Sequence, residues 1–312
     1  SKWSPGHWNS SQRMEVPVHP RATIIRSMDN FISTHEASIR LGFFFGVFAL
    51  MAIFEMLAPR RVLTQPKSTR WLNNIGLVVL NTVVVRVIFP TAALGVAAHA
   101  AQQRWGLFNQ LDVADWLAVL VSVIILDGVI YLQHVMFHAV PVFWRLHRVH
   151  HADLDFDVTT GSRFHTIEIL LSMLIKFAAI VLLGPPLVAV LIFEVLLNAT
   201  AMFNHSNVRL PLALDRVIRA FIVTPDMHRV HHSHLAHETN SNFGFNLSVW
   251  DRLFGTYRAQ PQDGHIGMKI GIDSFRDGAQ CTWLPRLLIM PFVGKINDYA
   301  INRRRWENTG ES

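Results

Sequence analysis

The sequence predicts an all-α integral membrane protein, with four to five membrane-inserted helices and a histidine-rich helical cap on their cytosolic face. Composition is the first observation. Of 312 residues, 51% are hydrophobic and only 16% charged, where soluble domains carry roughly a quarter charged, and the mean hydropathy is +0.28. The second is a series of apolar runs long enough to cross a bilayer. The third is the placement of histidine: the chain has 17, and those from His134 to His237 gather around one pentapeptide, HRVHH, that occurs at 147–151 and again at 228–232. The single cysteine, Cys281, excludes a disulfide framework and a thiolate metal site. Any metal must therefore be held by nitrogen and oxygen.

Residues 1–38 read as a polar surface arm without the apolar core of a signal peptide. Residues 39–260 form the membrane domain, and 261–312 an interfacial C-terminal tail. Leu41–Leu57 is the first span. Leu72–Ala98 is the second, interrupted by Arg86 and Pro90. Trp116–Leu132 is the third. The run 167–203 is too long for one span, and GPP at 184–186 divides it into a hairpin. Each arm has about 17–18 residues, near the short end of what crosses the ~30 Å hydrocarbon core.

Charge orients these spans. Arg60, Arg61, Lys67 and Arg70 lie in a loop with no acid, whereas 102–115 holds one arginine and two aspartates. The positive-inside rule puts the first loop in the cytoplasm. The third span then ends in the cytoplasm, the hairpin returns the chain to that side, and both HRVHH copies meet on one face. Residues 212–223 place Leu214, Val217, Ile218 and Phe221 opposite Arg216 and Arg219, an amphipathic helix suited to a membrane surface. The 283–292 stretch reads as a second anchor, and NRRRW at 302–306 as a contact for anionic headgroups. Basic residues flank apolar spans rather than forming a stripe, which argues against nucleic acid.

His134 and His138, four apart, share a helical face. His147, His150 and His151 lie at i, i+3 and i+4, and His228, His231 and His232 repeat that spacing. Imidazole is the commonest metal ligand and suits iron, zinc or copper. Eight such histidines exceed the four ligands of one tetrahedral zinc and suit two metals. Each HRVHH copy reads as one of two similar half-sites, with the HxxxH pair completing the set. Asp127 shares a face with Tyr131, His134 and His138, and an acid within an apolar span points to function. Asp226, Asn242 and Asn246 stand near the last cluster as further partners for the imidazoles.

The order HxxxH, HxxHH, HxxHH, with flanks LQHVMFHAVPVFWRLHRVHHADLDF and TPDMHRVHHSHLAHETNSNFGFN, resembles the fatty acid hydroxylase / sterol desaturase superfamily of membrane oxygenases, and most closely its bacterial sterol desaturase-like members. The resemblance covers roughly residues 40–258. It implies a non-haem site of two iron ions at the cytosolic face of, for a bacterial chain, the inner membrane, with O₂ as co-substrate and a lipid C–H bond as target. Carried onto this chain, it implies His134, His138, His147, His150, His151, His228, His231 and His232 as catalytic metal ligands. His205 falls where the family also tends to have a histidine and is taken as a ninth. His165 and Glu168 occupy a place where many relatives have HPxE; Thr166 replaces the proline here, and the pair is read as bracing the site. His234 and His237 read as solvated loop residues.

The expected reaction is hydroxylation of a fatty acyl, sterol or related lipid, with electrons from a separate reductase or ferredoxin-like partner. Desaturation, or cleavage of an ether or aldehyde, would use the same residues, and zinc is able to occupy such a site in preparations. A histidine-rich metal transporter or store is the competitor of another class. It calls for ionisable residues along several spans, and the first two spans carry almost none. A zinc peptidase lacks its HExxH.

Overall fold

The computed structural model describes residues 20–296 and 299–301, with side chains from residue 29 onward. Seven helices carry most of the described chain: α1 (Pro20–Leu57), α2 (Lys67–Ile88), α3 (Ala92–Gln102), α4 (Asp115–Ala139), α5 (Pro141–His151), α6 (Thr166–Leu183) and α7 (Leu187–Asn204). Two short ones follow, α8 (Leu212–Ile218) and α9 (Pro225–His231). Among the described residues β structure is limited to isolated bridges, such as Pro59 with Val208. Five segments are long and apolar enough to cross a membrane: Asp29–Leu57, Lys67–Asn109, Asp115–Ala139, Thr166–Leu183 and Leu187–Asn204. This is an all-α membrane protein.

Each break has a local cause. The expected second span is two helices, because Pro90 cannot continue α2 and the chain restarts as α3 after Thr91. Between α6 and α7, Gly184 adopts φ +62° as a left-handed C-cap, and Pro186 then precedes α7. The tip of this hairpin meets the loop before α4: a Cβ on Gly106 would lie 2.3 Å from the Gly184 backbone nitrogen, so only glycine permits the approach. The hairpin therefore reaches the level of the α3–α4 connection. Pro141 opens α5 and Pro225 opens α9, where a missing N–H costs nothing. At α9, the Thr224 hydroxyl also accepts from Met227 N at 3.3 Å.

A core containing Leu126, Ile130, Ile180, Val190 and Phe193 lies inside the bundle. Phe43, Phe45, Val83, Val87 and Leu182 face outward, as lipid-facing side chains do. The carboxyl ends of α1, α4 and α7 and the amino ends of α2 and α6 share one end of the bundle, where α5, α9 and the C-terminal segment cover them. Thus Arg60 N bonds Asn207 O at 2.7 Å, and Thr64 N bonds Asp155 at 2.9 Å. Both HRVHH copies lie at this end.

Two regions differ from the sequence expectation. Residues 20–38 of the polar arm are helical and continuous with the first span; residues 1–19 lie outside the described part. The segment 264–301 is more than a surface tail. Ile272, Phe275, Cys281, Leu287, Met290 and Tyr299 pack with Trp144 and Val149 of α5 in a second core. Of the large hydrophobic residues in the proposed anchor, Trp283, Ile289 and Phe292 face outward, while Leu287 and Met290 are buried. α8 and the turn after it expose Leu214, Val217 and Phe221 and bury Asp215 and Arg219, which pair at 2.6 Å. NRRRW lies outside the described residues.

Candidate metal centre

Nine histidines converge beneath the cap. His134 and His138 come from the last turns of α4, His147, His150 and His151 from α5, and His205 from the end of α7; α9 and its C-cap add His228, His231 and His232. They form two buried groups, His134–His138–His147–His151–His231 and His150–His205–His228–His232, and within each group one nitrogen per ring lies within 4.8 Å of all the others. The structure thus brings together all eight histidines of the three motifs and, with them, His205, the ninth that the sequence singled out.

The two pentapeptides do not make one half-site each. Each divides between both groups. At 3.6 residues per turn, i and i+4 lie about 40° apart, while i+3 lies about 60° to the other side of i. In α5 the i, i+4 pair His147/His151 therefore enters the first group and His150 the second. In α9 the pair His228/His232 enters the second and His231 the first. One repeated sequence, used in opposite senses, interlocks the two groups.

Ring orientation is set from outside. Nδ1 of His134 donates to Phe243 O at 2.8 Å, Nδ1 of His231 to Ser241 O at 2.7 Å, and Nδ1 of His205 to Ala201 O at 2.8 Å. Nδ1 of His147 meets Glu168 Oε1 at 2.6 Å, and Nδ1 of His138 meets Asn240 Oδ1 at 3.1 Å. A carbonyl only accepts, so these contacts put the proton on Nδ1 and leave Nε2 as a lone pair. Those lone pairs then face one another: Nε2 of His134 and of His147 stand 3.1 Å apart, and Nε2 of His205 lies 3.1 Å from that of His150 and 3.0 Å from that of His228. Nε2 of His138 and His231, and both nitrogens of His151 and His232, are buried without a hydrogen-bond partner.

Burial, and then the neighbouring imidazoles, hold His150, His151, His228, His231 and His232 well below the usual histidine range, and burial holds His147 at about 3. Neutral rings with converging lone pairs are the ligating form. A cation resolves both the facing lone pairs and the unpartnered nitrogens, so the donor set fits two metal ions.

This geometry sits inside a sequence match. The fatty acid hydroxylase family matches residues 119–256, which hold all nine histidines. The match and the relatives support the fatty acid hydroxylase / sterol desaturase superfamily for this part of the chain. Among curated relatives in this superfamily, it is similar to an ornithine lipid hydroxylase of Rhizobium tropici, 28% identical over 228 residues, or 69% of this chain and 65% of that protein. It is similar to an alkylglycerol monooxygenase of Xenopus tropicalis, 26% identical over 238 residues, or 73% of this chain and 50% of that one. A cholesterol 25-hydroxylase of Rattus norvegicus is 26% identical over 53% of this chain and 54% of its own length. The chain thus spans half to two thirds of these relatives. No solved structure matches.

Of the six residues expected as partners or braces for the imidazoles, Glu168 touches one. His165 instead caps α6, accepting from Ile167 N at 3.2 Å, with Nε2 at 3.2 Å from Leu288 O. Asp127 accepts from Trp250 Nε1 at 2.8 Å and from the Leu247 and Asn246 amides at 3.1 and 3.3 Å. It ties α4 to the loop that carries Phe243 rather than to a ligand ring. Asp226 pairs with Arg60 at 3.0 Å and with Arg229. The Asn242 amide donates to Met227 O and Arg258 O, each at 2.8 Å, with its backbone at φ +52°. Asn246 meets Thr200. His234 lies 3.2 Å from Asp273, and His237 is half-buried.

Sequence reasoning missed Asn240 and the carbonyls of Ser241 and Phe243. Asn240 Nδ2 donates to Tyr299 O at 2.8 Å, which turns Oδ1 toward His138. It also missed Asp153 and Asp157 of the DLDFD stretch, which hold the buried Arg70: Asp153 Oδ2 lies 2.8 Å from its guanidinium. Burial opposes ionisation of Asp153, but Arg70 and Arg163 overcome it and keep the carboxyl at about 2. A cavity of about 560 Å³ opens on His134, His147 and Glu168 and is walled by Phe137, Phe164 and Phe245.

Proposed function

We propose that this chain is a membrane-bound di-iron monooxygenase that hydroxylates a lipid. One observation carries the reading: two interlocked groups of neutral imidazoles, their lone pairs turned inward, border a cavity that opens among membrane helices. Nitrogen-only donor sets suit a redox metal with room for O₂. The relatives are named as lipid hydroxylases and monooxygenases, which supports a lipid target here. Hydroxylation consumes one C–H bond, O₂, two electrons and two protons, and yields C–OH and water.

Iron in the two groups would supply the oxygen activation and hydrogen abstraction. The chain supplies the rest. His134, His138, His147, His151 and His231 hold one ion, and His150, His205, His228 and His232 the other. Glu168 fixes the His147 ring by accepting from its Nδ1. Phe137, Phe164 and Phe245 present an apolar wall that excludes water and positions an alkyl chain. We place the histidine end at the cytoplasmic face, in accord with Arg60, Arg61 and Lys67 beside it. A separate reductase or ferredoxin-like protein delivers the electrons there.

The test is isotopic. Iron-loaded chain, with a reductant and ¹⁸O₂, is given fatty acyl, sterol and alkylglycerol lipids, and products are read by mass spectrometry. The expected product carries one ¹⁸O atom and is absent with His150→Ala or His231→Ala. A new double bond without label would reassign the chain to desaturation. Release of an aldehyde would point to ether cleavage. No product from any of these lipids contradicts the reading.

A further inference from the structure

The same cavity has a second, charged end. Arg40, Arg86, Lys176 and Glu194 line it along with His134 and His147. Glu168, which touches His147, and Lys176 are both on α6, eight residues apart and so about 12 Å along the axis. Glu194 and His205 are both on α7, about 16 Å apart by the same rise. The charged side chains therefore sit at the end of the cavity away from the histidines. Arg86 is in the last turn of α2, at the end of the bundle opposite the cap.

The charges there do not balance. Lys176 Nζ lies 2.7 Å from Glu194 Oε1. Arg40 NH1 lies 2.9 Å from Glu194 Oε2 and 2.9 Å from Glu36. Arg86 has no ion pair among the described residues. Three cations thus face two carboxylates, one of which, Glu36, is outside the cavity lining. Arg86 is exposed and lines the cavity, so its guanidinium is open to a ligand entering there; ionisable residues of membrane helices that face a cavity mark a substrate or ion path. Arginine and lysine together present directed donors suited to a carboxylate or phosphate.

Resting on the lipid reading above, we propose that this end of the cavity binds the oxyanion headgroup of the substrate. Arg86, Lys176 and Arg40 take a carboxylate or phosphate group. The alkyl chain then runs the length of the cavity toward His134 and His147. The carbon presented to the histidine groups is accordingly remote from the headgroup, and neutral lipids of the same length are disfavoured.

The test is equilibrium binding to the full chain, detergent-purified and metal-free, so it does not depend on turnover. Radiolabelled palmitate is displaced by hexadecyl phosphate, by palmitate and by methyl palmitate. At least one of the two anions is expected to bind about tenfold more tightly than the methyl ester, the scale of a charge-assisted contact; which of them does so tells carboxylate from phosphate. Arg86→Met, or Lys176→Met combined with Glu194→Gln so that no carboxylate is left unpaired, is expected to abolish that preference. Arg86→Lys and Lys176→Arg are expected to retain it, and thermal unfolding confirms that each variant is folded. Equal affinity for the methyl ester, or the anion preference intact in both charge-removing variants, overturns the proposal. Anion preference without any oxygenated lipid from the iron-loaded chain would sink the oxygenase reading and leave this site standing.

Discussion

At the scale of single residues, the contact between His147 Nδ1 and Glu168 Oε1 at 2.6 Å sets one ligand ring. Removing such a brace typically costs about 10- to 100-fold in metal affinity. Glu168→Ala is expected to lose metal from the five-histidine group in that range, read by titration with a chelator. Glu168→Gln, whose amide oxygen still accepts from Nδ1, is expected to lose less; equal losses would deny the brace. The motif histidines were legible because imidazoles at i, i+3 and i+4 announce themselves. Their anchors were not. Phe243 O, Ser241 O and Ala201 O are backbone atoms, and a carbonyl leaves no mark on residue type. The other two letters of HRVHH also have physical reasons. Val149 and Val230 are fully buried. Arg148 donates to Lys295 O at 3.0 Å and to Met290 O, while Arg229 pairs with Asp226.

At the scale of elements, α4 is held by Asp127 to the loop 245–250. An acid within an apolar span was readable as inward-facing, but its partners, the Asn246 and Leu247 amides and Trp250 Nε1, lie more than a hundred residues away. Asp127→Ala leaves three donors without an acceptor. We expect a loss of about 2 kcal/mol, within the range for removing a charged hydrogen-bond partner, seen as a lower unfolding temperature in detergent. Wild-type stability in that variant would show the clamp to be dispensable. The apolar spans and the GPP break were legible from length and proline chemistry. The division of each pentapeptide between two groups was not, because it depends on how α5 and α9 face each other.

At the scale of the whole molecule, five apolar segments carry a cap whose C-terminal part closes over α5. Sequence reading took residues 261–312 for a tail, since its helices are short and its hydrophobic residues scattered. In the fold, Arg163 NH2 donates to Cys281 O at 2.6 Å and Arg148 to carbonyls of the same segment, so the cap and the histidine helices form one unit. Such a unit holds the imidazoles away from water and open to a membrane cavity, as the proposed lipid oxidation requires.

The most direct measurement is metal per chain after iron loading of the detergent-purified protein, by elemental analysis. The account predicts about two ions per chain, the count of histidine groups that each match a metal's ligand demand. It predicts about one in His205→Ala, which leaves three histidines in its group, and about one when His147 and His231 are both changed to alanine, which leaves three in the other. A wild-type stoichiometry near zero, or full occupancy in both variants, would contradict it.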